Sequence, residues 1–273
     1  MTDQPVYSAN DHSAAFQTAI ANAQATFKFF WRELSWEMRR IVPALEIAAV
    51  KMSFPVESDD PRAPTIENMW LNDIDFDGAN ITGVLLNEPE WATGYKVSEY
   101  VTLPVSLLND WMYVSQGTVC GGFTIDLMRS DMDAAERDEH DQAWGMEFGE
   151  PGVIELVPEG PDQPAQRLTR GLDTAQDRLT LQALDAGDHP MALNMEQKVE
   201  EGLRQHPGMV SDTDQAGWLL LHREALAGNF PVVRALLRHG ADASALTADG
   251  QTPAQLADTA GWERVARLLR GQA

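Results

Sequence analysis

Apolar residues near the start of the chain recur with the period of a helix. Phe16, Ile20, Phe27, Trp31 and Leu34 stand three or four apart, with one gap of seven, and so share a face. The Ala-rich run from Asp11 favours the same conformation, with Asp11 or Ser13 as N-cap, and Pro43 marks the exit of a helix reaching about Arg40. The stripe Phe27, Phe30, Trp31 and Leu34 reads as core, not as a ligand site.

After Pro43 the period shortens to two. Leu45–Phe54, Met69–Ile74, Ile81–Leu86, Val97–Pro104 and Trp111–Val119 read as strands, a meander of about five. The stretch Val101–Thr124 is its centre, with the aromatic burst Trp111-Met112-Tyr113-Val114, a hairpin turn at Gln116-Gly117, and Gly121-Gly122 before a helix-like segment. A sheet this small protects its edges by curling toward a barrel or by packing on a helix. The expectation is therefore an α+β domain with a long helix and a small, strongly curved antiparallel sheet. Ser130 then caps a helix with Asp131 and Asp133 in its first turn and Gly145 as its stop. Glu147–Val157 has strand character, and Pro158–Gln166, with three prolines and a Gly, reads as a linker.

The remaining third of the chain is helical in pattern and repeats itself. Gly217 matches Gly250 and Gly228 matches Gly261 at a spacing of 33 residues, and Thr252-Pro253 suits a helix start. GWLLLHREALAGNFPVVRALLRHGAD and GQTPAQLADTAGWERVARLL resemble ankyrin repeats, each departing once: Leu219-Leu220 stands for Thr-Pro, and Gln255 stands for His222. MEQKVEEGLRQHPGMV is a degenerate opening unit, preceded by a capping helix at Asp173–Asp185. The boundaries expected are 1–157, a linker 158–171, and a helical repeat domain 172–273.

Charge changes the picture most. The net charge is −22, and residues 1–160 carry 27 acids against 9 bases. Such a surface repels phosphate backbones, which argues against direct nucleic-acid binding, and it suits either solubility or a basic partner. The single cysteine, Cys120, excludes an internal disulfide and reads as a small buried hydrophobe rather than a nucleophile. The N-terminus lacks a basic stretch followed by an apolar one, and no window nears eighteen apolar residues. The expected location is the cytoplasm.

In the first half, FWRELSWEMRRIVPALEIAAVKMSF, ENMWLNDIDFDGANITGVLLNEP and LPVSLLNDWMYVSQGTVCGGFTIDLMRS resemble the YegJ-like family of uncharacterised bacterial domains, over residues 27–157. The pattern is Met69-Trp70, Gly83 with Asn87 and Pro89, Asp110-Trp111-Met112, and Gly121-Gly122-Phe123-Thr124. The resemblance implies no catalytic residue.

No phosphate loop, zinc-protease motif or nucleophile elbow occurs. Asp138-Glu139-His140-Asp141 reads as a solvated helix face rather than a metal site, and no cofactor is implied. Asp73, Asp75, Asp77, Glu88 and Glu90 form one acidic group at turns of the sheet, and Asp131, Asp133, Asp138 and Glu139 form another on a helix. Trp91 either packs or anchors a partner beside the first group. The preferred reading is a non-enzymatic bacterial binding protein that sequesters or regulates a basic protein. An acidic domain joined to such repeats resembles immunity proteins, which neutralise a toxin. An enzyme using the N-terminal carboxylates and a pure scaffold are the alternatives.

Overall fold

The computed structural model describes residues 13–160 and 164–271. The chain divides into two compact units: one comprises the chain up to Phe30 and Arg40–Thr180, the other Trp31–Arg39 and the chain from Leu181 onward. Helix α1 (Ala14–Glu37) contributes residues to both units. Ser13 is its cap, accepting the Phe16 N–H at 3.1 Å. Asp11 lies outside the described residues.

In the first unit α1 buries Phe16, Ala19, Ala23, Thr26, Phe27 and Phe30. Ala23 and Thr26 fill the seven-residue gap in the apolar stripe. Being small, they let the sheet come close enough for Trp111 Nε1 to donate to the Ala23 carbonyl at 2.9 Å and Thr26 Oγ1 at 3.3 Å. The sheet comprises β1 (Ile47–Pro55), β2 (Ile66–Phe76), β3 (Asn80–Leu85), β4 (Tyr100–Pro104), β5 (Leu108–Ser115) and β6 (Thr118–Gly121). Its order is β4-β3-β2-β1-β5-β6, all antiparallel. The meander holds from β1 to β4, after which a 3-10 turn at Val105–Leu107 leads to β5 beside β1. The strongly curved sheet expected from the sequence is corrected to an open one with β4 and β6 as outer strands. Helix packing supplies the cover that closure would otherwise give: Phe27 meets Phe76 edge-on at 5.2 Å, and Phe30 meets Trp111 at 5.6 Å.

The opposite face is covered over β5 and β6 by α2 (Phe123–Ser130), where Ile125 joins Met112, Val114 and Val119. Gly121 permits the turn into α2. Its φ is +82°, and a Cβ there would lie 2.3 Å from the Trp111 carbonyl oxygen. The helix-like segment expected after Gly122 is α2, and the helix expected from Ser130 to Gly145 starts later, at the cap Asp133. Ser130 ends α2, and Asp133 caps α3 (Ala134–Trp144), accepting from Ala135 N and Glu136 N while Glu136 accepts from Asp133 N. Gly145 ends α3 as expected, with φ +67°.

Part of the expected linker is a strand. β7 (Val153–Val157) pairs with β8 (Gln166–Thr169), whereas Pro161–Gln163 lie outside the described residues. Asp177, in α4 (Ala175–Ala186), ties β8 to the following helix by accepting from Thr169 N at 2.8 Å, Thr169 Oγ1 at 2.6 Å and Thr174 Oγ1 at 2.7 Å. Burial alone would raise its pKa, but the hydrogen bonds from Thr169 and Thr174 outweigh that and lower it to about 2 from 3.8. The carboxylate therefore contributes stability above pH 3.8 that is lost as pH falls toward 2. Acid melts of the wild type and Asp177→Asn should differ at pH 5 and converge near pH 2; a constant difference would contradict this account.

The second unit holds Trp31–Glu37 of α1, the end of α4, α5 (Pro190–Gln205), a 3-10 turn (Pro207–Val210), α6 (Leu220–Ala227), α7 (Phe230–Arg238), α8 (Pro253–Thr259) and α9 (Glu263–Leu269). The pair α6–α7 recurs as α8–α9 after 33 residues. Thr252 Oγ1 accepts from Gln255 N at 3.2 Å, and Gln255 Oε1 accepts from Thr252 N at 2.8 Å. In the earlier pair His222 Nδ1 takes the place of Gln255 Oε1, accepting from Leu219 N at 3.0 Å. Its Nε2 lies 3.0 Å from the Ala245 carbonyl, and burial lowers its pKa, so this histidine closes the repeat as a neutral ring. The end of α1 is built into this unit. Arg32 stacks on Trp262 at 4.8 Å, Glu33 meets His189 at 2.7 Å, and Arg39 pairs with Glu224 at 2.7 Å. Among the described residues no helix is long and apolar enough to cross a membrane.

Candidate functional site

The first acidic group does not gather at one place. Asp73 and Asp75 lie near the end of β2 on either side of Ile74, and both are exposed. Asp73 sits at a bulge with φ +51° and accepts a hydrogen bond from the Tyr100 hydroxyl. Asp77 shapes the β2–β3 turn, its Oδ1 accepting from Ala79 N at 2.7 Å and Asn80 N at 2.6 Å. Glu88 and Glu90 follow the opposite end of β3, about 20 Å along a strand of this length. They are exposed, whereas Trp91 beside them is half-buried. Its loop is held by Glu67, whose carboxylate accepts from Glu90 N at 2.8 Å, Trp91 N at 2.9 Å and Ala92 N at 2.8 Å.

The helix group lies toward the other edge of the sheet, since α2 packs on β5 and β6. Asp131 ends α2, Asp133 caps α3, and Asp138 and Glu139 face solvent on α3. Their neighbours His140 and Asp141 turn inward. His140 Nδ1 lies 2.8 Å from Asp141 Oδ1, and Asp141 receives a two-pronged pair of bonds from buried Arg129 at 2.9 and 2.6 Å. Among the described residues no three metal-ligating side chains converge.

A polar anchor under the sheet escaped the sequence reading. Asp110 is fully buried, and its Oδ1 accepts from Trp111 N at 2.9 Å and Phe123 N at 3.0 Å. Its Oδ2 accepts from Thr124 N at 2.7 Å and Thr124 Oγ1 at 2.6 Å. Lys51 Nζ donates to Thr124 Oγ1 at 3.0 Å and lies 5.2 Å from the centre of the Trp70 ring. Burial pushes the Asp110 carboxyl up, and Lys51 with the donated bonds pulls against it. Chemically this arrangement holds a helix start. Both carboxylate oxygens are occupied by donors, so it offers no ready base.

The other motif residues hold β2 and β3 together. Asn87 Oδ1 accepts from Trp70 N at 2.8 Å, fixing the end of β3 against β2. Gly83 sits where a Cβ would approach the Asn72 carbonyl oxygen to 2.8 Å, beside the bulge that carries Asp73. The signals for the anchor were Asp110 and Thr124 in the motif pattern and the place of Asp110 beside an apolar run, a buried charge that demands partners.

Residues 13–148 match the family described as "Uncharacterized protein conserved in bacteria (DUF2314)". "Uncharacterized protein YegJ" of Escherichia coli (strain K12) is 29% identical over 73 residues, 27% of this chain and 48% of that protein. The "Putative ankyrin repeat protein NMB1133/NMB1171" of Neisseria meningitidis serogroup B is 39% identical over 269 residues, 98% of both chains. On that whole-length match, the protein belongs to one bacterial family with its Neisseria relative, and its residues 13–148 match DUF2314.

Proposed function

We propose that this protein binds another protein, with the second unit as an ankyrin-type scaffold and the acidic first unit engaging a basic partner that it sequesters or regulates. The whole-length relative carries the reading, because its name is that of an ankyrin repeat protein. The helix pairs recurring at 33 residues support it, that being the length of an ankyrin unit. The charge of residues 1–160, 27 acids to 9 bases, favours a partner of opposite sign, as an immunity protein has in a basic toxin. Binding in this reading is not accompanied by catalysis. Asp73, Asp75, Asp77, Glu88, Glu90, Asp131, Asp133, Asp138 and Glu139 supply the attracting field, and Trp91 is a half-buried anchor beside Glu90.

Affinity capture from native lysate with mass spectrometry identifies the partner, and association kinetics across salt then test the mechanism. Reversing the charges of Asp73, Asp75 and Asp77 should slow association on the order of tenfold at about 0.01 M salt. The effect should shrink as the screening length falls from about 30 Å to about 8 Å at physiological ionic strength. An acidic partner, or an association rate indifferent to salt, would overturn the reading.

A further inference from the structure

Among the described residues, nothing covers one half of the sheet's second face, where Asn72, Leu86 and Tyr100 are exposed. Helix α2, with Met146 and Phe148, lies over β5, β6 and Ile47, and the covered cluster reaches as far as Trp70. Beyond it, β2, β3 and β4 carry side chains of that face in registered rows. Trp70 stands across from Leu86, whose N–H donates to the Trp70 carbonyl at 2.9 Å. The next row runs Asn72, Val84, Tyr100, and the next Asp75, Thr82, Thr102. Tyr100 is 67% exposed and Leu86 46%. A solvent-facing sheet surface is ordinarily polar, so a row of aromatic and aliphatic side chains there calls for a contact.

Charge identifies the contact. Between Ile66 and Pro104 the chain has seven acids, Glu67, Asp73, Asp75, Asp77, Glu88, Glu90 and Glu99, and one base, Lys96. Asp73 and Asp75 stand at one end of the apolar rows, and Asp73 is joined to Tyr100 through the phenol hydroxyl. Tyr100 thereby presents a ring whose position is fixed beside a carboxylate. A planar guanidinium fits that combination better than an ammonium, because it stacks on an aromatic face while bonding a carboxylate with two N–H groups.

We propose that this open half-face, built from Val84, Leu86 and Tyr100 with Asp73 and Asp75 at its end, docks an arginine-bearing segment of a basic protein. The proposal rests on the protein-binding reading above and locates its contact. Fluorescence anisotropy of the full chain with a short labelled peptide of alternating Arg and Ser tests it at about 0.15 M ionic strength. The Tyr100→Ala/Leu86→Ala variant and the Asp73→Asn/Asp75→Asn variant should each weaken binding about tenfold. Glu57→Gln/Asp59→Asn, which removes two exposed charges from the β1–β2 loop, should change it less than about twofold. A peptide with Lys for Arg should bind more weakly. All six substituted positions are exposed, and unchanged melting curves would establish that each variant is folded.

Equal weakening by both charge-removing variants would mean a diffuse field and overturn the docking face. So would wild-type affinity in Tyr100→Ala/Leu86→Ala, or no binding of the arginine peptide to the unaltered chain. A captured basic partner whose binding ignores Tyr100 and Leu86 would leave the proposed function standing and remove only this surface. Peptide binding that depends on those residues, beside a captured partner that is not basic, would do the reverse.

Discussion

Replacing Asp110 by Ala is expected to destabilise the first unit by about 3–5 kcal/mol, the usual cost of leaving a buried charge without its partner. Two effects add in this substitution. The N–H groups of Phe123 and Thr124 at the start of α2 lose their acceptor, as does the N–H of Trp111. Lys51, bonded to Thr124 Oγ1, also loses the counter-charge in front of it. Asn should not rescue the site, since its amide replaces an acceptor with a donor facing other donors. For a unit of this size the melting temperature should fall on the order of 10 °C in both variants. Wild-type stability of Asp110→Asn in thermal and urea unfolding would show that the carboxylate is dispensable.

The second large effect is expected at Arg39 and Glu224 in the second unit. Glu224 is fully buried. Its Oε1 pairs with Arg39 Nη1 at 2.7 Å, and its Oε2 accepts from Asn229 Nδ2 at 2.8 Å. Asn229 is held in turn by Trp36, whose indole N–H donates to Oδ1 at 2.8 Å. Arg39→Leu strands the carboxylate and should cost about 3 kcal/mol, toward the low end of such pairs because solvent reaches Arg39. Adding Glu224→Leu removes the stranded charge, so the double variant should be more stable than Arg39→Leu alone. Hydrogen exchange across α6 and α7, with urea unfolding of the full chain, separates the cases. A double variant no more stable than Arg39→Leu would mean that the buried charge is not what Arg39 serves.

These two sites show where sequence reading stops. Short-range pattern was legible: the apolar alternation announced β1 through β5, Gln116-Gly117 forms the β5–β6 turn, Gly145 ends α3, and the 33-residue period recurs in the helix pairs. The errors arose where one local signal had two meanings. Ser130 and Asp133 are both competent caps, and the chain uses Asp133, so the second helix starts later than expected. The prolines after Val157 suggested a linker, but Asp177 holds Thr169 and Thr174 so that β8 and α4 are fixed together. Position along the chain also misled for the acids. Asp77 and Glu88 are near in sequence, but β3 runs between them.

By itself the sequence determined the elements, because helix and strand periods are set by neighbours a few residues away, and it determined the excess of negative charge. Only the tertiary structure decided the order β4-β3-β2-β1-β5-β6 and the division of α1 between two units. The same holds for the partners of Asp110 and Glu224. A periodic pattern records that a face is buried without recording against what. A buried charge is satisfied by groups brought near only when the chain has folded: Thr124 meets Lys51 across 73 positions, and Trp36 meets Asn229 across 193.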